Sequence, residues 1–152
     1  MTKLIFALLL MTSATTPERA NEVRQIGAAI ETIAPEYGFD PWDFAAVVVR
    51  ESRARCDVVG KLGERGPGQV LARYVGMSNA EVATPEGGVR AMAIALDRWR
   101  RARPEENAWA CYASGNICRA GFSLREMKRI KRQLKSVTLT VPMLVDTSGL
   151  HL

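Results

Sequence analysis

Histidine is nearly missing from this chain: its 152 residues hold one, His151, in the C-terminal tail. A Cys-His nucleophile pair is therefore not expected. Neither is a zinc site, which needs more nitrogen and sulfur ligands than the chain offers. No metal and no cofactor is expected. Long apolar runs are missing too. The run from Leu4 to Met11 has eight residues, against the roughly 20 that a membrane-spanning helix needs. The glycine-rich stretch has no Gly-Lys-Ser/Thr ending and follows no strand, which excludes a P-loop and a dinucleotide fingerprint. The basic segments lack interleaved aromatics, so nucleic acid is not an expected partner.

What is present reads as one globular domain. Hydrophobic residues make up 47% and charged residues 24%, a balance that supports a core. The net charge of +5 favours an anionic partner. The stretch MTKLIFALLLMTSATTPERA has a lysine, a short apolar run and then small polar residues. This is the pattern of a secretory signal peptide, with cleavage after Ala14 or Ala20. The expected division is a signal over 1–20, a domain over 21–135 and a tail over 136–152. The expected location is the periplasm or the exterior. An oxidising compartment suits one disulfide and one free thiol among Cys56, Cys111 and Cys118. The short spacing favours Cys111 with Cys118; Cys56 paired with either is the competitor.

Helical periodicity dominates. Val23, Ile26, Ile30, Ile33 and Ala34 mark one face of a helix from Pro17 to Tyr37. Asp40, Pro41 and Asp43 supply a cap, a first-position proline and a first-turn acid for a helix to about Arg53. Ser78 to Glu81 is a capping box, and Thr84-Pro85-Glu86 opens a longer helix. A helix is expected from Pro104 to Ser114. A second capping box at Ser123 to Glu126 is expected to open a basic helix to about Lys135, followed by an extended tail.

Within VVVRESRARC, Phe44, Val47, Val48 and Glu51 fall at i, i+3, i+4 and i+7 and share a face. Glu51 therefore extends an apolar stripe. Partial desolvation there raises a carboxyl pKa, which suits a general acid. The competing reading is a surface glutamate paired with Arg55. A dozen residues on, GERGPGQV offers glycines that let backbone approach a ligand. It also offers Gln69, an amide that both donates and accepts.

In order and spacing, YGFDPWDFAAVVVRES, GERGPGQV and AWACYASG resemble the lytic transglycosylases of the goose-lysozyme-like superfamily. That family reads Tyr-Gly-hydrophobic-Asp-Pro, a helix ending in Glu-Ser, a Gly-x-x-Gly-x-x-Gln loop and an Ala-x-x-Tyr-Asn-Ala-Gly segment. The resemblance covers about Ile33 to Gly121. It implies a mainly α, lysozyme-like single domain with a glycine-rich substrate loop. Glu51 matches the catalytic acid/base and Tyr112 the tyrosine that faces it. Ser52 matches the serine that helps position substrate and glutamate. Gly66 and Gln69 match the substrate-groove loop, and Glu64 and Ser114 fall in the same segments. The implied reaction cleaves the β-1,4 bond between N-acetylmuramic acid and N-acetylglucosamine, leaving a 1,6-anhydro ring. It needs no second carboxylate, unlike the two-carboxylate scheme.

Three positions depart from the family pattern. Pro67-Gly68 stands where Leu-Met is usual, Ala113 where asparagine follows the tyrosine, and Ser114 where alanine precedes the glycine. Glu64 has two readings besides a solvated charge. It orders the loop or touches substrate, or it is a second carboxylate that activates water, as in a muramidase. Helical spacing assigns Trp42, Trp99 and Trp109 to core packing. The basic segments 98–103 and 125–135 read as solvated faces or as adhesion to an anionic wall or membrane face. The partners implied are peptidoglycan glycan strands, alone or within a secretion, conjugation or phage assembly. The chain is expected to act as a monomer. A non-catalytic wall-binding subunit is the reading from another class.

Overall fold

A computed structural model describes residues 1–119 and 121–140, and among them the chain is mainly α-helical. The helices are α1 (Lys3–Thr12), α2 (Pro17–Glu36), α3 (Pro41–Ser52), α4 (Ala72–Val75), α5 (Asn79–Val82), α6 (Pro85–Ala102), α7 (Ala108–Ser114) and α8 (Gly121–Thr140). No helix among the described residues is long and apolar enough to cross a membrane. Caps set most boundaries. Asp40 accepts from the Trp42 amide at 2.9 Å. Ser78 and Glu81 close their reciprocal box. Thr84 accepts from Gly87 at 3.0 Å.

The core lies where α2, α3, α6 and α8 meet. Ile26, Ile30 and Ile33 of α2, Phe44 and Val48 of α3, Met92 and Leu96 of α6, and Leu134 of α8 are fully buried. These are the periodic positions of each helix, so the apolar stripes become the packed faces. The segment 1–20 contains α1 and the start of α2, and α1 packs into this core. Leu4, Ala7 and Leu8 are buried. Gly27 makes the notch they need: a Cβ there would lie 2.6 Å from Ile5 Cγ1. A buried leucine is worth about 1.5–3 kcal/mol. A chain starting at Thr15 is therefore expected to lose roughly 3–5 kcal/mol, read as a lower thermal midpoint than that of the full chain. Equal midpoints would show that α1 carries no weight in the fold.

Three sequence expectations are corrected. The helix expected from Pro104 starts at Ala108, capped by Asn107, whose Oδ1 accepts from Trp109 at 2.9 Å and Ala110 at 3.3 Å. Pro104 instead keeps Arg103 out of the helical region (φ −138°, ψ 66°). Ser123 does not cap α8, which begins two residues earlier; a tertiary partner, Arg50, takes its hydroxyl. The tail expected to be extended from 136 is helical through Thr140, because α8 continues. Residues 141–152, with His151, lie outside the described residues.

Candidate active site around Glu51

Glu51 sits on the last turn of α3, one turn beyond the buried Val47 and Val48. Its side chain is 23% exposed. The small cavity beside it, about 10 Å³, is lined by Val47, Arg50, Trp109, Tyr112, Leu124 and Met127, among others. Burial raises the Glu51 pKa. The neighbouring Arg50 opposes that rise, and the charges of Glu126 and Glu64 add to it. The alternative partner Arg55 is engaged elsewhere, holding Asp57 through two bonds of 2.9 and 2.7 Å.

Arg50 joins α3 to α8 at this spot. It donates from Nη1 to Glu51, from Nε to Glu126 at 3.4 Å and from Nη2 to Ser123 at 2.7 Å. One guanidinium thus serves two carboxylates, a use that suits its fixed fork of donors. Sequence reading missed Arg50. The available signal was an arginine directly before the candidate acid.

After Ser52 the chain turns through two consecutive left-handed residues, Arg53 (φ 56°) and Ala54 (φ 57°). Such a conformation costs an L-residue about 1–2 kcal/mol. Arg19 of α2 offsets this by donating to the carbonyls of Arg53 at 2.6 Å and Ala54 at 2.7 Å. Glu22 accepts from the Cys56 amide at 2.8 Å. The Cys56 thiol is free and buried, its pKa pushed up to about 12 by burial and by Glu22. It is therefore a poor nucleophile.

The loop that follows folds back through antiparallel pairings of Val59 with Arg65 and of Arg65 with Val70. Its residues Gly66 to Gly68 are buried and tied on several sides. Ser52 Oγ donates to the Pro67 carbonyl at 2.8 Å. Tyr112 donates to the Gly68 carbonyl at 2.5 Å. A Cβ at Gly68 would lie 2.0 Å from Met92 Cγ and 2.9 Å from the Tyr112 hydroxyl, so glycine is what lets α7 and the loop meet. Gln69 donates to the carbonyls of Val58 at 3.1 Å and Gly66 at 3.0 Å. Glu64 accepts from the Leu62 amide at 3.0 Å.

The geometry places Glu51 and Tyr112 on one cavity. Burial, with the charge of Glu51, holds the Tyr112 hydroxyl protonated well above the usual tyrosine range. Ser52 is 5% exposed and Gln69 bonds to its own loop. In this arrangement the Ser52 hydroxyl and the Gln69 amide nitrogen both brace the loop. Ser114 bonds back to the Ala110 carbonyl at 2.7 Å. Trp109 belongs to a cluster with Phe39, Phe44 and Tyr112, at centroid distances of 5.5–6.1 Å, and also lines the Glu51 cavity. A disulfide joins Cys111 to Cys118 and closes the turn after Tyr112. No protein-family model matches this chain, and no curated protein matches it.

Proposed function

We propose that the protein is a peptidoglycan lytic transglycosylase with Glu51 as its acid and base. The observation that carries the reading is Glu51 itself, a half-buried carboxyl on an apolar stripe with a raised pKa. It shares its cavity with a tyrosine anchored to the glycine-rich loop. Support also comes from the order and spacing of the three sequence segments. Protonated Glu51 donates to the glycosidic oxygen, and the bond from that oxygen to the muramoyl anomeric carbon breaks. The 6-hydroxyl of the same sugar bonds to that carbon, and its proton passes to the Glu51 carboxylate. The acid is restored, and the product is a 1,6-anhydro ring. The cavity beside Glu51 is no larger than a water site, so Arg50 and the α8 side chains over it shift when glycan enters. In this reading the enzyme is exported with 1–14 as its signal and meets glycan strands outside the cytoplasm; this cut gives up the packing of α1 but keeps Arg19, whose bonds brace the turn after Ser52.

The test is mass spectrometry of fragments released from purified murein. Anhydro ends, one water lighter than reducing ends, support the proposal. Absence of release supports a wall-binding subunit.

One observation favours a second reading. The charge of Glu64 makes a small contribution to the raised Glu51 pKa, less than burial or the charge of Glu126, so it is the loop carboxylate that a second reading would use. In a muramidase it would activate water. The transglycosylase reading expects Glu64→Gln to lower the rate modestly, because the bond accepted from the Leu62 amide loses its charge, and to leave anhydro ends unchanged. Reducing ends from the wild type, lost together with roughly 100-fold in rate in Glu64→Gln, would select the muramidase.

A further inference from the structure

α8 has two faces. Met127, Ile130 and Leu134 are buried against the core. On the outer side Arg125, Lys128, Lys131, Arg132 and Lys135 line a shallow depression of about 490 Å³ with no carboxylate in its lining. Lys131 is held by Asp40 and Asp43 at 2.7 Å each, and the Lys135 ammonium lies 5.8 Å from the Trp42 ring centroid. Arg125, Lys128 and Arg132 are exposed. They make no ion pair among the described residues; the acid of this helix, Glu126, is engaged by Arg50 and Arg129. At i, i+3 and i+7 the three cations share one face and span about 10 Å along the axis.

We infer that this outer face of α8 binds the carboxylates of peptides carried on the glycan strand, as a second anchoring point beside the cleavage site. The inference rests on the transglycosylase reading for the identity of the polymer. Continuity with the site favours it: Ser123, Leu124 and Met127 of the same helix line the Glu51 cavity. A strand leaving that cavity along α8 meets Arg125 within one turn. Among the residues whose exposure is described, Arg125, Lys128 and Arg132 are flanked on this face by no exposed apolar side chain for insertion into a bilayer, and the neighbouring Trp42 ring is only partly exposed and lies against Lys135. What it offers is a row of cations at fixed spacing, which suits a polymer with repeated carboxylates.

The experiment uses the full chain and the triple variant Arg125→Gln, Lys128→Gln, Arg132→Gln, with matching melting curves as the control for folding. Each is sedimented with purified murein and with the same murein after its peptide carboxylates are converted to neutral amides by carbodiimide and ammonia, which leaves the network insoluble. The wild type is expected to bind untreated murein about tenfold more tightly than the variant at low salt, from three surface charge contacts. The difference should close as salt screens them. On amidated murein the two proteins are expected to bind and cleave alike. Equal sedimentation with untreated murein, or a wild-type advantage that persists on amidated murein, overturns the inference. Tighter capture by phosphatidylglycerol vesicles or duplex DNA, abolished in the variant, overturns it in favour of a membrane or a nucleic acid. Carboxylate-dependent binding without any cleavage leaves the anchoring face standing and removes the transglycosylase reading.

Discussion

Glu51→Gln is expected to lower glycan cleavage by at least ~100-fold, the scale of a lost general acid, while the protein stays folded. The amide keeps the size of the side chain and its place between Val47 and Tyr112, but has no acid proton to give. A pH signature goes with it. Because burial raises the Glu51 pKa, the folded chain keeps a proton there that the unfolded chain releases. This contribution to stability is full below the ordinary glutamate pKa and is lost as pH rises through the raised one. Glu51→Gln should remove that slope from a stability–pH curve. Arg50 acts in the opposite sense on the same group, so Arg50→Gln should move the alkaline limb of the activity profile upward. A folded Glu51→Gln protein with near-normal activity would remove Glu51 from the reaction.

The helices that were legible in advance are those whose periodicity and caps agree. In α3, Asp40 and Pro41 mark the start, and Phe44, Val47 and Val48 mark the buried face. There the local and tertiary demands coincide. The misreadings arose where two local signals compete or a distant partner decides. Pro104 looks like a helix start, but the boundary is set where the Asn107 side-chain oxygen receives the Trp109 and Ala110 amides. Ser123 has the spacing of a capping box, but a guanidinium from α3 takes its hydroxyl. The β-branched run after Lys135 looks extended alone, yet it continues α8 as far as Thr140. At the site, the stripe position of Glu51 was readable from spacing, while the partnership with Tyr112 was implied only by the resemblance of the three segments. The loop bonds of the Ser52 hydroxyl and the Gln69 amide nitrogen were not readable. A serine or glutamine that braces a loop has the same sequence as one that faces a ligand; only the positions of Pro67, Val58 and Gly66 carbonyls distinguish them.

Gly66→Ala is expected to cost about 2–5 kcal/mol and to abolish most activity. Two faults add. Gly66 has φ +71°, where any other residue pays about 1–2 kcal/mol. Its added methyl would lie 2.1 Å from the carbonyl oxygen of Val82. That atom is backbone at the end of α5, so no rotamer change relieves the clash, and overpacking of this kind costs about 1–3 kcal/mol. Relief requires the loop to lift from α5. The Pro67 carbonyl then leaves Ser52, and the Gly68 carbonyl leaves Tyr112. Both fastenings that hold the loop beside Glu51 are lost together. Gly63→Ala separates the two faults: Gly63 also has positive φ, at +92°, but its Cβ would meet nothing within 4 Å. It is expected to lose about 1–2 kcal/mol and to keep its activity. Denaturant melts and murein cleavage on the two variants decide the matter. If Gly66→Ala is as stable and as active as Gly63→Ala, the packing of the loop on α5 does not support the site.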